Sequence, residues 1–163
     1  MMKYIRQIIT FIIVIIILVI FIPRNAFKSQ EKRIEITQYY LTYNNIDIKL
    51  NTDFSNYIAT LDSYNDSRES DSNTPGSIYY YDKFQIETYY DGNIERVKSI
   101  LFTSEDIYTN EGLGIGDSEK YIIQTYNQPT RYNNNIYYYE LNDTSISFIV
   151  ENNKIISIEY NIT

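Results

Sequence analysis

The sequence contains neither histidine nor cysteine. Without cysteine there is no disulfide and no thiolate nucleophile, and a Cys/His zinc site is excluded. Without histidine no Ser-His-Asp triad forms. Enzymatic chemistry here would have to rest on Asp, Glu, Tyr, Lys, Arg or Ser alone. Acids are also missing from the start of the chain: Glu31 is the first, although Lys3, Arg6, Arg24 and Lys28 precede it. Beyond Lys28 the 21 acids face only 10 of the 14 bases, a net charge of −11. A surface of that sign repels phosphate backbones and anionic lipid, so a nucleic-acid partner is not expected. No motif points to a cofactor, and none is expected.

What the chain does have, first, is an apolar run. Ile8 to Ile22 reads IITFIIVIIILVIFI, broken only by Thr10. As a helix it spans about 22 Å, and extension through Tyr4 and Ile5, with Arg6 reaching to the interface, brings it close to a membrane-crossing length. A cleaved signal peptide is the competing reading. Pro23-Arg24-Asn25-Ala26-Phe27 offers no small-x-small cleavage pattern. The sequence therefore predicts an uncleaved signal anchor over residues 1–28. The basic residues on its two sides leave the orientation open by simple count. The short basic start favours export, which gives a single-pass protein of the cell membrane with its C-terminal domain outside the cytoplasm.

Second, the chain repeats itself. Ile78-Tyr79-Tyr80-Tyr81 returns as Ile136-Tyr137-Tyr138-Tyr139, 58 positions later. Val97 to Phe102 returns as Ile155 to Tyr160 at the same offset. Two blocks sharing one offset predict a duplicated folding unit. Residues 29–45 read as a stalk, 46–104 as repeat 1 and 105–163 as repeat 2. In repeat 1, Asp47 to Leu50 alternates as a strand. Thr52 reads as the N-cap of a helix with Phe54, Tyr57, Ile58 and Leu61 on one face. A loop over 62–76 leads to strands near 77–82, 84–90 and 94–103, with Asp91-Gly92 as a turn. In repeat 2, Leu113 and Ile115 mark a short strand. Asp117 caps a helix with Tyr121, Ile122, Thr125 and Tyr126 inward, and Gln128-Pro129 ends it. Strands follow near 135–141, 144–150 and 154–161, with turns at Asn142-Asp143 and Asn152-Asn153. The expected class is α+β: a transmembrane helix, then two tandem strand-helix-three-strand repeats forming one antiparallel sheet with helices on one face.

Alternation along the strands assigns faces. Phe84, Ile86, Ile100, Phe102, Ile146, Phe148, Val150, Ile156, Ile158 and Tyr160 read as core. With Ile78, Tyr80, Ile136 and Tyr138 joining them, the helix-free face receives Tyr79, Tyr81, Tyr137 and Tyr139, beside Gln85, Glu87, Tyr89 and Glu159. Tyrosine offers a large amphipathic contact area at small entropic cost. The candidate partner-binding set is therefore Tyr79, Tyr81, Glu87, Tyr89, Tyr137, Tyr139 and Glu159. The competing reading is that tyrosine simply favours strands.

The run Thr109-Asn110-Glu111-Gly112-Leu113-Gly114-Ile115-Gly116-Asp117-Ser118, followed by Tyr126-Asn127-Gln128-Pro129, resembles the opening of repeats of the β-lactamase inhibitory protein type and of related small outer-membrane assembly lipoproteins. The closing strand Ile155 to Tyr160 fits the same pattern, as do uncharacterised envelope proteins of Clostridium-like bacteria. The resemblance covers roughly residues 45–162 in two copies and implies a sheet whose concave face grips a protein partner. Asn127 stands where the family has Gly, and Leu50-Asn51-Thr52 replaces Ile115-Gly116-Asp117 in the first copy. The disulfides of the secreted inhibitors are absent, and β-lactamase inhibition is not carried over.

Three other patterns point elsewhere. Gly112 to Gly116 lacks the Gly-Lys-Ser/Thr ending of a phosphate loop and reads as a tight approach to a helix. Asp62, Asp66, Glu69 and Asp71 lack calcium-loop spacing and read as a solvated loop, so no metal is expected. Glu87 and Glu159 could pair across the exposed sheet as glycosidase carboxylates do, but no flanking sequence supports that role and it is not expected. The sequence thus predicts a non-enzymatic, membrane-anchored envelope protein that binds a protein or cell-wall ligand. The alternative is a membrane-protein assembly or scaffold factor acting through the helix at Ile8–Ile22.

Overall fold

The computed structural model describes residues 36–61, 63–70 and 73–163, all within the unit Ile36–Thr163. Ten strands lie in it: β1 (Tyr40–Tyr43), β2 (Ile46–Lys49), β3 (Asp66–Glu69), β4 (Ser77–Tyr80), β5 (Phe84–Asp91), β6 (Ile94–Phe102), β7 (Arg131–Asn133), β8 (Ile136–Leu141), β9 (Thr144–Glu151) and β10 (Lys154–Ile162). The helices are short: α1 spans Ser55–Ile58 and α2 Lys120–Tyr126. Strand accounts for 50% of the described residues and helix for 9%. This corrects the α+β expectation to a mostly-β fold. The helical periodicity around Phe54 and Tyr121 is real but brief, because each helix needs only one or two inward side chains, Tyr57 in α1 and Ile122 with Tyr126 in α2. Neither predicted cap acts as one. Asp117 accepts a hydrogen bond from Gly114 N–H at 2.8 Å, and Thr52 donates to Lys49 O at 2.6 Å.

The membrane expectation is corrected as well. Among the described residues no helix is long and apolar enough to cross a membrane. The predicted anchor, Ile8–Ile22, lies outside the described residues, and the cell-membrane localisation built on it is not carried forward. The predicted stalk also ends earlier than residue 45. Tyr40–Tyr43 pairs with Ile46–Lys49 as a hairpin, and Tyr39 and Leu41 enter the core.

Strands β3 to β10 make one antiparallel sheet in the order β3-β4-β5-β6-β10-β9-β8-β7. Its centre is the β6–β10 pair, where Leu101, Ile100 and Ser99 face Glu159, Tyr160 and Asn161. Several hairpins turn on paired asparagines. Asn44-Asn45, Asn134-Asn135 and Asn152-Asn153 all hold positive φ, between 48° and 64°. That is the geometry of two-residue turns matching strand twist, and asparagine is the non-glycine residue that tolerates it best.

The two halves of the sheet are built alike. Asn51 N–H donates to Val97 O and Val97 N–H to Thr52 O, at 2.8 and 2.9 Å. Gly116 N–H donates to Ile155 O and Ile155 N–H to Asp117 O, at the same two distances. Phe54 N–H reaches Glu95 O as Glu119 N–H reaches Asn153 O. Asn51 (φ 57°) therefore occupies the place of Gly116 (φ 92°). The first copy keeps the left-handed backbone of the glycine motif with a different residue.

One face of the sheet is covered by the β1–β2 hairpin, α1, α2 and the connecting segments. Leu41, Ile48, Phe54, Ile86, Ile100, Ile122, Ile146, Phe148, Ile155 and Ile158 are fully buried there. Each such side chain contributes about 1.5–3 kcal/mol relative to exposure. The core is continuous through both halves.

Candidate functional site: the open sheet face

Residues directly opposite one another on adjacent strands share a face. Tyr79 lies opposite Ile86, Tyr137 opposite Phe148 and Tyr139 opposite Ile146. All three tyrosines are therefore on the covered side, and Tyr81, stacked on Phe84, is buried with them. Four of the seven predicted contact residues are thus moved to the covered face, Tyr81, Tyr137 and Tyr139 in the core and Tyr79 packed against it. The expectation failed because it treated Ile as the inward residue and Tyr as the outward one. In the fold the rings pack against the core while their hydroxyls reach polar groups on the covered side. Tyr79 donates to Glu95, Tyr137 to Glu119, Tyr126 to Glu111 and Tyr139 to Asn127 O. Burial, reinforced by Glu95, pushes the Tyr79 hydroxyl up to about 12. Burial likewise raises Tyr126 and Tyr137, so these hydroxyls stay protonated donors.

Ile78, Tyr80, Ile136 and Tyr138 take the opposite face, which no other element covers among the described residues. Glu87 and Glu159 are there as predicted. Tyr89 is there too, opposite Arg96, but its hydroxyl is engaged with Asn51 Oδ1 at 2.6 Å.

At the middle of this face Glu87 and Ser99 lie opposite each other, and Lys98 fills a bulge in β6 beside them. Lys98 Nζ sits 2.9 Å from Glu87 Oε1, and Ser70 Oγ donates to the same carboxylate oxygen. Glu159 lies between Leu101 and Ser147, diagonal to Ser99 on the same face. Burial holds its carboxyl above the ordinary range, and Glu87 adds repulsion, against the opposing pull of Ser99 and Lys98. Glu87 and Glu159 therefore flank a serine and a lysine, with Glu87 in an ion pair.

The second half of the face was not foreseen. A bulge between Ile155 and Ser157 reverses the alternation of β10. Ile155 turns inward, and Ile156, expected in the core, is 47% exposed. Ile149 lies opposite both Ser157 and Ile136, and each of these two isoleucines is 38% exposed. Beside them the Arg131 guanidinium lies 4.1 Å from the Tyr138 ring centre and 2.9 Å from Glu140. Arg131, Asn133, Asn134, Ile136 and Tyr138 line an open groove of about 320 Å³.

Of the predicted acidic loop, Asp66 and Glu69 are exposed on β3, while Asp62 and Asp71 lie outside the described residues. Gly114 is half of an isolated bridge with Tyr108, and the segment around it leads into α2. No family model, curated protein or solved structure matches the chain.

Proposed function

We propose that this chain is a non-enzymatic binding module whose open sheet face takes a protein or cell-wall ligand. The observation that carries the reading is the asymmetry of the sheet. One face lies under a complete covering layer. The other has no cover among the described residues, yet it presents Ile136, Ile149 and Ile156 with Tyr80 and Tyr138. Contiguous exposed apolar side chains rimmed by polar ones mark contact surfaces. The acidic balance beyond Lys28 disfavours nucleic acid as the ligand. Glu87 and Glu159 are better suited to recognition than to turnover, since Glu87 is already tied to Lys98.

A photoreactive phenylalanine analogue at position 138 tests this in cells expressing the full chain. It is expected to give discrete cross-linked products, whereas the same analogue at Tyr121, exposed on the covering layer, gives none. Equal labelling from both positions, or products from position 121 alone, overturns the reading.

A further inference from the structure

We infer that the open face recognises a segment of a protein partner in which a basic side chain neighbours an apolar one, the apolar group resting on Ile136, Ile149 and Ile156 and the cation on Glu159. The inference deepens the binding reading above and rests on it.

The sheet itself does not require the isoleucines. Ile136 stands opposite Ile149, which stands opposite Ser157, with Ile156 in the neighbouring bulge. The same places in the first half are Ile78, Glu87, Ser99 and Lys98. An ion pair fills there what exposed isoleucines fill here, so the fold accepts polar residues at two of the three positions. Three isoleucines left 38–47% exposed in one stripe retain apolar area that only a partner would bury.

Glu159 lies diagonally across from Ile149, a separation of about 7–8 Å. Two residues of extended chain span nearly that distance. No ion pair among the described residues includes Glu159. Lys98, whose charge acts on Glu159, is held by Glu87 at 2.9 Å. Leu101 and Ser147 flank Glu159, and Ser99 stands diagonally beside it. A carboxylate taken partly out of water and incompletely compensated gains most from an incoming ammonium or guanidinium. Long-range charge points the same way. From Ile36 onward the chain holds 19 acids and 8 bases, net −11, a field that draws basic segments in and turns acidic ones away.

The experiment titrates the isotope-labelled full chain with three capped eight-residue peptides: a lysine–leucine peptide of two Lys-Ser-Leu-Ser repeats, which sets lysine and leucine two residues apart on one face, a lysine–serine peptide with serine in place of leucine, and a glutamate–leucine peptide with glutamate in place of lysine. The lysine–leucine peptide is expected to shift the methyl signals of Ile136, Ile149 and Ile156 and the carboxyl signal of Glu159. Glu159→Gln and Ile149→Ser are each expected to weaken it at least tenfold, with unchanged far-ultraviolet dichroism. Equal affinity for the lysine–serine peptide reduces the effect to bulk charge and overturns the inference. So does binding on the open face that ignores both substitutions, or no binding of any peptide. In those cases retained cross-linking from position 138 leaves the binding reading standing. Shifts confined to the covering layer, together with lost cross-linking, sink both.

Discussion

The two halves of the sheet share a backbone and differ in what they hang on it. In the first half Thr88 is buried and joins Ser77 and Glu95 through its hydroxyl, with Tyr79 bonded to the same Glu95. Opposite Ile155, the place that Thr88 holds opposite Val97, the second half has Val150. On the open face the first half carries Glu87 with Lys98, and the second Ile149 with Ile156. The first half is therefore wired by polar contacts on both faces. The second keeps polar contacts inside, where Tyr126, Tyr137 and Tyr139 use their hydroxyls, but is partly apolar outside. A scaffold whose hydrogen-bond pattern is set by turns and backbone tolerates this divergence, because side-chain chemistry on an uncovered face is free to change without loss of the core.

The most severe way to break the comparison is in the core. Phe148→Ala removes a fully buried ring and is expected to cost about 3–5 kcal/mol. Ile86→Ala, at the corresponding place in the first half, is expected to cost about 2–5 kcal/mol. Urea unfolding checks both, and each variant should still unfold in a single transition because one core runs through both halves. Two separate transitions would show that the halves fold independently.

Next in size are the left-handed positions. Gly116→Ala, at φ 92°, is expected to cost about 1–2 kcal/mol. Asn127 ends α2 at φ 65° and ψ −147°, a region nearly reserved for glycine. Asn127→Gly is therefore expected to stabilise by about 1 kcal/mol. Calorimetry would read these as opposite shifts in Tm, and a lower Tm for Asn127→Gly would show that its side chain has a role the backbone does not reveal.

Smaller again is Tyr160→Phe. Tyr160 stands where the first half has Phe102, and its buried hydroxyl makes no hydrogen bond of normal geometry, although the Asn110 backbone is near. Removing an unsatisfied buried hydroxyl is expected to be neutral or to stabilise by up to about 1 kcal/mol. A clear loss of stability on denaturant titration would mean the hydroxyl is satisfied after all.

Glu159→Gln should have the smallest effect, and one that depends on pH. Burial raises this carboxyl in the folded chain, so the folded state holds its proton more tightly than the unfolded state does. Stability then falls as pH rises from the ordinary carboxylate range through the raised value. The variant is expected to match the parent at low pH, where the group is neutral in both states, and to be slightly more stable at neutral pH. A loss at neutral pH would mean that the ionised carboxylate is better compensated than Ser99 and Lys98 alone allow.

Much of the strand framework was readable from the alternation and the turns, since β4 to β6 and β8 to β10 fall close to the predicted segments. The facing of β8 was readable too, had the turn been counted through. With Asn142-Asp143 as a two-residue turn, Leu141 must oppose Thr144, Tyr139 must oppose Ile146 and Tyr137 must oppose Phe148. Placing Phe148 in the core then places the tyrosines there. Treating each strand separately lost that constraint. The bulges at Lys98 and Ile156 were not legible, because an extra residue in one strand leaves no mark in composition or period and appears only in the pairing. The edge strands β3 and β7 were missed for another reason. Asp66–Glu69 and Arg131–Asn133 are exposed throughout, so they lack the apolar alternation by which strands are recognised. As a result the placement of Glu87 and Glu159 on the open face was legible from sequence, and the isoleucine stripe was not.

The seam between β6 and β10 has a consequence in time. Nearly every other strand pairs with its neighbour along the chain through a short turn, and contacts of that kind close quickly. The seam joins residues about sixty positions apart through three opposed pairs, Leu101–Glu159, Ile100–Tyr160 and Ser99–Asn161, and carries the larger loop-closure cost. The two meanders should therefore gain protection from hydrogen exchange before the seam does during refolding, with the last step being the meeting of two partly formed halves around Ile100 and Tyr160.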